Sequence, residues 1–154
     1  MNNVLRNSSL DIFFSKIRSE NKKIVFTNGC FDIIHPGHIH VLSQAKLLGH
    51  ILVVGLNSDK SVKKLKGKER PLVNESDRAK ILLSIKYVDY VTIFDESTPK
   101  DIIEKIKPDT LVKGGDYIVD DIVGSKFVID SGGRVEIVKF LDGYSSSNYI
   151  DNLN

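Results

Sequence analysis

Ile24-Val25-Phe26-Thr27-Asn28-Gly29-Cys30-Phe31-Asp32-Ile33-Ile34-His35-Pro36-Gly37-His38 is the stretch on which the fold turns. Its first four residues are β-branched or aromatic and read as a buried strand that stops at Asn28-Gly29. The stretch ends in His35-Pro36-Gly37-His38, just ahead of a helical pattern, and Pro is tolerated in a first helical turn. Three of the chain's four histidines fall between residues 35 and 40. A helix N-terminus offers unpaired N–H groups and partial positive charge, which suit a phosphate. Gly29 and Gly37 let backbone approach a ligand closely. Two imidazoles beside that cradle can donate to oxygens that gain charge in phosphoryl transfer.

Outward from this stretch the same unit recurs. Upstream, residues 1–9 are polar and expected to fray. Leu10, Phe13, Phe14 and Ile17 then mark one face of a helix that Ser8 or Ser9 would cap. Downstream, helices are expected over about 39–48, 75–87 (with Ile81, Leu82 and Ile85 inward), 99–106 and 120–131, and from about Ser146. Strands are expected at 51–55, 90–94, 110–112 and 135–138. Residues 57–74, polar and basic, read as a long loop. Strands that are apolar throughout, alternating with helices, imply a parallel sheet covered on both faces. The expected fold is therefore α/β, a Rossmann-like, doubly wound, five-stranded parallel sheet. Ligands bind such sheets beyond the carboxyl ends of the strands, where strand order reverses. The loops after Thr27, Gly55, Val112 and Val138 are the ones to watch.

A chain of 154 residues is one domain's length, and 41% hydrophobic with 27% charged residues is enough for a packed core. A net charge of +2 argues against a protein that coats nucleic acid. The single cysteine, Cys30, excludes an intrachain disulfide and fits a reducing compartment. No apolar run approaches the roughly 20 residues needed to span a bilayer, and no leader pattern is visible, so the expected location is cytoplasmic. The organisation expected is one domain over 1–154, with 1–21 as a helical extension and 22–154 as the main fold. A zinc site is disfavoured, because Pro36-Gly37 breaks the geometry that would converge His35 and His38, and no Cys/His partner pair appears. Gly124-Ser125-Lys126 is not a phosphate loop of the Walker type, and no GxGxxG follows the first strand.

The string from Thr27 to His38 resembles the signature of the cytidylyltransferase-like nucleotidyltransferases, whose hallmark is HxGH at the head of the first helix. Further matches follow in order: Lys66-Gly67, Arg70-Pro71, Glu75 and Arg78, Tyr87-Val88-Asp89, Val112-Lys113-Gly114-Gly115-Asp116-Tyr117 and Gly143-Tyr144-Ser145-Ser146-Ser147-Asn148. Together they cover about 22–153 and look most like the branch that forms ADP-heptose.

That resemblance implies attack by a sugar-phosphate oxygen on the α-phosphorus of ATP, with Mg²⁺ present and pyrophosphate released. His35, His38 and Lys66 would be catalytic. Asn28, Gly29, Cys30 and Phe31 would hold the α-phosphate, and Lys113, Gly114, Gly115 and Asp116 the adenine. Ser145, Ser146 and Ser147 would cap the last helix and contact phosphates; relatives have Ser-Thr-Thr there. Arg70 and Arg78 would meet substrate anions. Asp32, a carboxylate beside phosphate, would orient its loop or link to Mg²⁺, and it counts among the expected substrate-binding residues. No protein metal ligands are implied. Cys30 would pack or offer backbone rather than react. Lys60, Lys64 and Lys68 read as a solvated surface.

In many relatives the domain is fused to a sugar kinase. Expected partners are small molecules and a second copy of this chain, with no nucleic acid and no membrane. Phe13 and Phe14 would serve a homodimer or pack on the sheet. Two other readings stay open: a cytidylyltransferase acting on glycerol 3-phosphate or a related alditol phosphate, and a nucleotide-binding regulator without catalysis.

Overall fold

The computed structural model describes residues 3–5 and 7–152, without the side chains of Asn7 and of residues 146–148. The strands are β1 (Val4–Leu5), β2 (Ile24–Gly29), β3 (Ile51–Asn57), β4 (Tyr90–Phe94), β5 (Thr110–Gly114) and β6 (Arg134–Val138). The helices are α1 (Leu10–Ser19), α2 (Pro36–Lys46), α3 (Asp59–Lys66), α4 (Glu75–Leu83), α5 (Lys100–Ile106), α6 (Ser125–Asp130) and α7 (Ser146–Asp151). The strands form one sheet in the order β1-β4-β3-β2-β5-β6, every pair parallel. The chain thus winds outward from β2 in both directions, and the reversal lies between β2 and β5. That is the Rossmann-like arrangement with its crevice at the carboxyl ends of those two strands.

Both faces are buried, which is why the strands are apolar without alternation. Phe26, Val53 and Leu111 pack with Leu10, Phe14, Ile103 and Val128 on one face. Val25, Leu52, Val54 and Val112 pack with Leu42, Ala45, Ala79 and Leu82 on the other. Successive strand residues point to opposite faces, so β2 feeds both cores. Asp89 fixes the β3–β4 register: its carboxylate accepts from the Leu52 N–H at 2.6 Å and from Lys46 at 2.5 Å.

The expectation of five strands is corrected to six among the described residues. β1 lies in the segment expected to fray, and it pairs Val4 with Val91 and Leu5 with Thr92. Two residues flanked by polar ones give no period-2 signal, and only β4 as a template reveals them. Asn3 secures the pairing by accepting from the Val91 N–H and donating to the Asp89 carbonyl, each at 3.0 Å. The N-terminal segment is accordingly core rather than an appendage, since Leu10 and Phe14 are fully buried. Phe13 packs edge-on against Phe14 and Tyr90, at 5.1 and 4.9 Å between ring centres. Both phenylalanines are used by the fold, not left for a second copy.

Other expectations shift as well. Residues 57–74 are not a loop throughout, because α3 occupies Asp59–Lys66. Ser58 caps it by accepting from the Ser61 N–H, and Lys63, Lys64 and Lys66 complement the negative end of its dipole. Ile81 is 42% exposed rather than inward, while Leu82 is fully buried. The helix expected over 120–131 is a 3-10 turn at Val119–Asp121 followed by α6. Gly124 divides them at φ 86°, and a Cβ there would lie 2.6 Å from Ile103 Cδ1. Gly124→Ala should lower stability by about 1–2 kcal/mol from the left-handed backbone alone, with the clash adding to it. A urea midpoint equal to the parent's would show that the turn does not need glycine.

Candidate active site

The carboxyl ends of β2 and β5 bring together the first loop, the head of α2 and the segment Lys113-Gly114-Gly115. His35 is the N-cap residue of α2 with extended backbone (φ −141°, ψ 169°), and Pro36 opens the helix. The His35 carbonyl accepts from the His38 and Ile39 N–H groups at 3.0 and 3.3 Å. This geometry folds the His35 ring back over its own helix, where it stacks on His38 with ring centres 3.8 Å apart and planes 24° apart. The glycine between them is obligatory for that stack. A Cβ at residue 37 would lie 2.9 Å from the His35 ring and 3.2 Å from Tyr144 Cβ.

Phe31 closes the other side of His38, 4.9 Å between ring centres. Its backbone is left-handed (φ 46°), unusual for a bulky side chain, and costs on the order of 1 kcal/mol. Tyr149 and Tyr144 flank His35 from the C-terminal segment at 5.9 and 6.4 Å. His38 is thus sandwiched between rings. Burial, with the neighbouring His35 and Lys66 charges, pushes its pKa down to about 4, against a hydrogen bond to the Ile33 backbone. Burial also lowers His35. The Nδ1 atoms of both histidines are buried and have no hydrogen-bond partner. Buried polar atoms are nearly always satisfied, so two adjacent orphans at the head of α2 are an exception that the rest of the fold does not account for.

Asp32 is 2% exposed and faces away from any open surface. Its carboxylate accepts from the Leu72 N–H (2.9 and 3.1 Å), the Val73 N–H (3.0 Å) and Arg70 Nε (2.7 Å). Burial raises its pKa, but the Val73 and Leu72 amides and the Arg70 guanidinium outweigh it and hold the carboxyl below its usual range. Of the two roles expected for Asp32, the geometry gives loop orientation. It clamps residues 70–73 to the first loop, and its oxygens are not turned to a substrate or a cation. Arg70 keeps its Nη2 buried and unpartnered.

Arg78 departs from the expected substrate contact. It is 1% exposed, and its guanidinium is consumed internally. Nε donates to the Val73 carbonyl (2.8 Å), Nη1 to the Cys30 (2.6 Å) and Asn57 (2.8 Å) carbonyls, and Nη2 to Asp59 (2.7 Å). The Asn57 and Asp59 partners carry no motif in the sequence and emerge only from the fold. Cys30 is partly buried, and its thiol is pushed up by burial, which suits backbone contact rather than reaction.

Lys66 is exposed at the end of α3, and its charge reaches both Cys30 and His38. Lys113 points across the crevice to Asn28 Oδ1 at 3.2 Å. The backbone of Gly114 and Gly115, expected to face adenine, lies under the Phe140 ring, which would be 2.9 and 2.8 Å from a Cβ at either position. Asp116 is exposed beside it. Ser145 begins the turn into α7, and its carbonyl accepts from the Tyr149 N–H at 3.2 Å. Ser146 and Ser147 lie in α7, but their side chains are outside the described residues. Phe140, Tyr144 and Tyr149 were not expected at the site. Tyr144 stood next to the serine run, the one sequence signal available.

The cytidylyltransferase-like family model matches residues 26–151. The chain belongs to the cytidylyltransferase-like family. Among curated proteins it is similar to the bifunctional protein HldE of Geobacter metallireducens, 54% identical over 136 residues, 88% of this chain and 28% of that protein. The HldE of Citrifermentans bemidjiense is 51% identical over 148 residues, 94% of this chain and 30% of that protein. The chain thus spans less than a third of the length of these relatives. Among solved structures it is similar to the lipopolysaccharide core biosynthesis protein of Thermoplasma volcanium, with a TM-score of 0.63 and 31% identity, covering 80% of this chain and 99% of that one. Among the described residues, no helix is long and apolar enough to cross a membrane.

The sandwich sets a pH dependence. Between pH 6.5 and about 4 the unfolded chain takes up a proton at His38 that the folded chain refuses, so stability falls as pH falls through that window. His38→Gln should flatten the decline in urea midpoint from pH 6.5 to 4. An unchanged decline would mean the imidazole is not desolvated.

Proposed function

We propose that this chain transfers AMP from ATP to D-glycero-β-D-manno-heptose 1-phosphate, releasing pyrophosphate and yielding ADP-heptose for the lipopolysaccharide core. The observation that carries the transfer chemistry is the stacked His35–His38 pair at the head of α2, with both Nδ1 atoms buried and unpartnered. The likeness to HldE proteins over most of the chain supports the choice of acceptor.

On this reading the chain supplies positioning and charge, and no covalent intermediate forms. The acceptor's phosphate oxygen attacks the α-phosphorus, the α–β bridging bond breaks, and pyrophosphate leaves with the electron pair. His38, held neutral and fixed between Phe31 and His35, has one ring N–H, which it turns from the Ile33 backbone to a phosphate oxygen as charge accumulates. His35 donates to a phosphate oxygen from the N-cap position. Backbone at Asn28, Gly29, Cys30 and Phe31 cradles the α-phosphate. Arg70, with Nη2 free, and Lys66 draw the anionic acceptor in from the α3 side. The Gly114-Gly115 face takes the base once Phe140 shifts, with Asp116 at its edge, and the serine turn at 145–147 closes over the phosphates.

Mg²⁺ belongs to the proposal as a companion of ATP. Among the described residues no three His, Cys, Asp or Glu groups gather to hold a metal, and the Asp32 oxygens accept from Arg70 and the Leu72 and Val73 amides. A cytoplasmic location and a homodimer complete the reading. The dimer does not rest on Phe13 or Phe14, and sedimentation velocity decides it.

The test is pyrophosphate release with ATP and CTP against heptose 1-phosphate and glycerol 3-phosphate. ATP with the heptose phosphate should be preferred, and His38→Ala should lower its turnover roughly 10²–10³-fold. Preference for CTP with glycerol 3-phosphate would transfer the chain to the alditol reading. ATP binding with no pyrophosphate from any acceptor would make it a regulator. Lys66→Ala should reduce kcat/KM more than Lys68→Ala does. Equal small losses would return the end of α3 to solvated surface.

A further inference from the structure

Lys113 is the last-but-one residue of β5, paired in register with Ile137 of β6. Its side chain does not run outward with the solvent-facing lysines of α3. It crosses the crevice between β5 and β2, and its ammonium donates to Asn28 Oδ1 at 3.2 Å. Tyr117 lies 5.9 Å away from the ammonium, ring centre to Nζ. Among the described residues no carboxylate pairs with it, in contrast to Lys22, Lys23, Lys46, Lys80 and Lys126. An ammonium withdrawn from water without a counter-charge is costly. Burial accordingly holds the Lys113 pKa below the usual lysine range. The one acidic group that acts on it, the Cys30 thiol, is itself raised by burial and stays neutral near pH 7, so it is no counter-ion.

The ammonium has three N–H donors, and one is used. Its acceptor, Asn28, immediately precedes the Gly29-Cys30-Phe31 loop, and the orphaned histidine atoms stand on the helix that follows. A cation without a carboxylate partner at the strand-order reversal, beside the Gly29-Cys30-Phe31 loop and the head of α2, is matched by one chemistry, an anionic oxygen. Adenine, which is neutral, would not repay its desolvation.

We propose that Lys113 is a catalytic residue that binds a non-bridging oxygen of the nucleotide's α-phosphate, not a residue that holds the base. As the new P–O bond forms and the bond to pyrophosphate breaks, negative charge gathers on the α-phosphate oxygens, and the ammonium meets it. Lys113 remains protonated throughout and transfers no proton. The role rests on the adenylyl-transfer reading given above and names one more group in that centre. It also assigns different partners to two neighbours: Lys113 goes to the phosphate, and Gly114-Gly115 to the base.

The experiment compares Lys113→Met, Lys113→Gln and Lys113→Arg in the full chain, with calorimetric binding of adenosine and AMP beside pyrophosphate-release kinetics. Thermal midpoints identify which of the neutral variants is folded and used. The neutral variant should bind AMP at least tenfold more weakly, hold adenosine within twofold of the parent, and lose roughly 10²-fold in kcat. Lys113→Arg should recover a large part of the AMP affinity, which a purely structural role would not require. Equal weakening of adenosine and AMP would return Lys113 to the base. Unchanged AMP binding and turnover would remove it from the site. The binding arm needs no acceptor sugar. A parent chain that binds AMP through Lys113 yet makes no nucleotide sugar therefore overturns the heptose reading and the catalytic role while the contact to the α-phosphate stands.

Discussion

Arg78 sits in α4, yet its donors end on four separate segments: the Cys30 carbonyl of the first loop, the Asn57 carbonyl at the end of β3, the Val73 carbonyl ahead of α4, and the Asp59 carboxylate at the start of α3. A guanidinium presents its N–H groups in a rigid planar fork, so the four acceptors are fixed relative to one another as well as to the arginine. Removing it would take a donor from the buried Asn57 carbonyl, at about 1–3 kcal/mol, and from the part-buried Cys30 and Val73 carbonyls at less. The first loop and the base of the lysine-rich helix are therefore one mechanical unit. Asp32 extends the unit by taking the Leu72 and Val73 amides. Two charged side chains that read in the sequence as ligand contacts, Asp32 and Arg78, are spent on holding the first loop, α3 and the segment ahead of α4 together.

What this frame holds is a stack of rings. Phe31, His38 and His35 lie in sequence over the head of α2, with Tyr144 and Tyr149 beyond. Desolvation keeps the imidazoles neutral, and packing fixes their planes before any ligand arrives. Donors that need not reorganise are worth most when charge develops. The glycine of His35-Pro36-Gly37-His38 is a steric requirement of the stack, because any side chain there would meet the His35 ring. Lys113, without a carboxylate partner among the described residues, reaches Asn28 at the end of β2, so the loop before α2 is met by an ammonium at its start and carries two desolvated imidazoles at its end.

The alternating apolar runs from Ile24 to Val138 were enough to name a parallel, doubly wound sheet, and Thr27–His38 was enough to place the histidine pair at the head of the helix that follows β2. These were legible because they are local: strand, loop and helix N-terminus adjoin in sequence. β1 was not, because Val4-Leu5 becomes a strand only when β4 offers its edge. α3 is not legible in the sequence because its buried residues are few, Ser61 and Val62, and give no periodic apolar face.

Residue types and their order by themselves determined the fold class, the family and the position of the histidine pair, since these depend on contacts between near neighbours and on motif spacing. Where each charge points follows only from the folded chain. Asp32, Arg70, Arg78 and Lys113 are all polar residues in loops or at element ends. Whether such a group faces a ligand, a carbonyl or another charge depends on segments up to 85 residues away along the chain, as Lys113 and Asn28 are. Those distances are set by packing of the whole sheet, which no local pattern encodes.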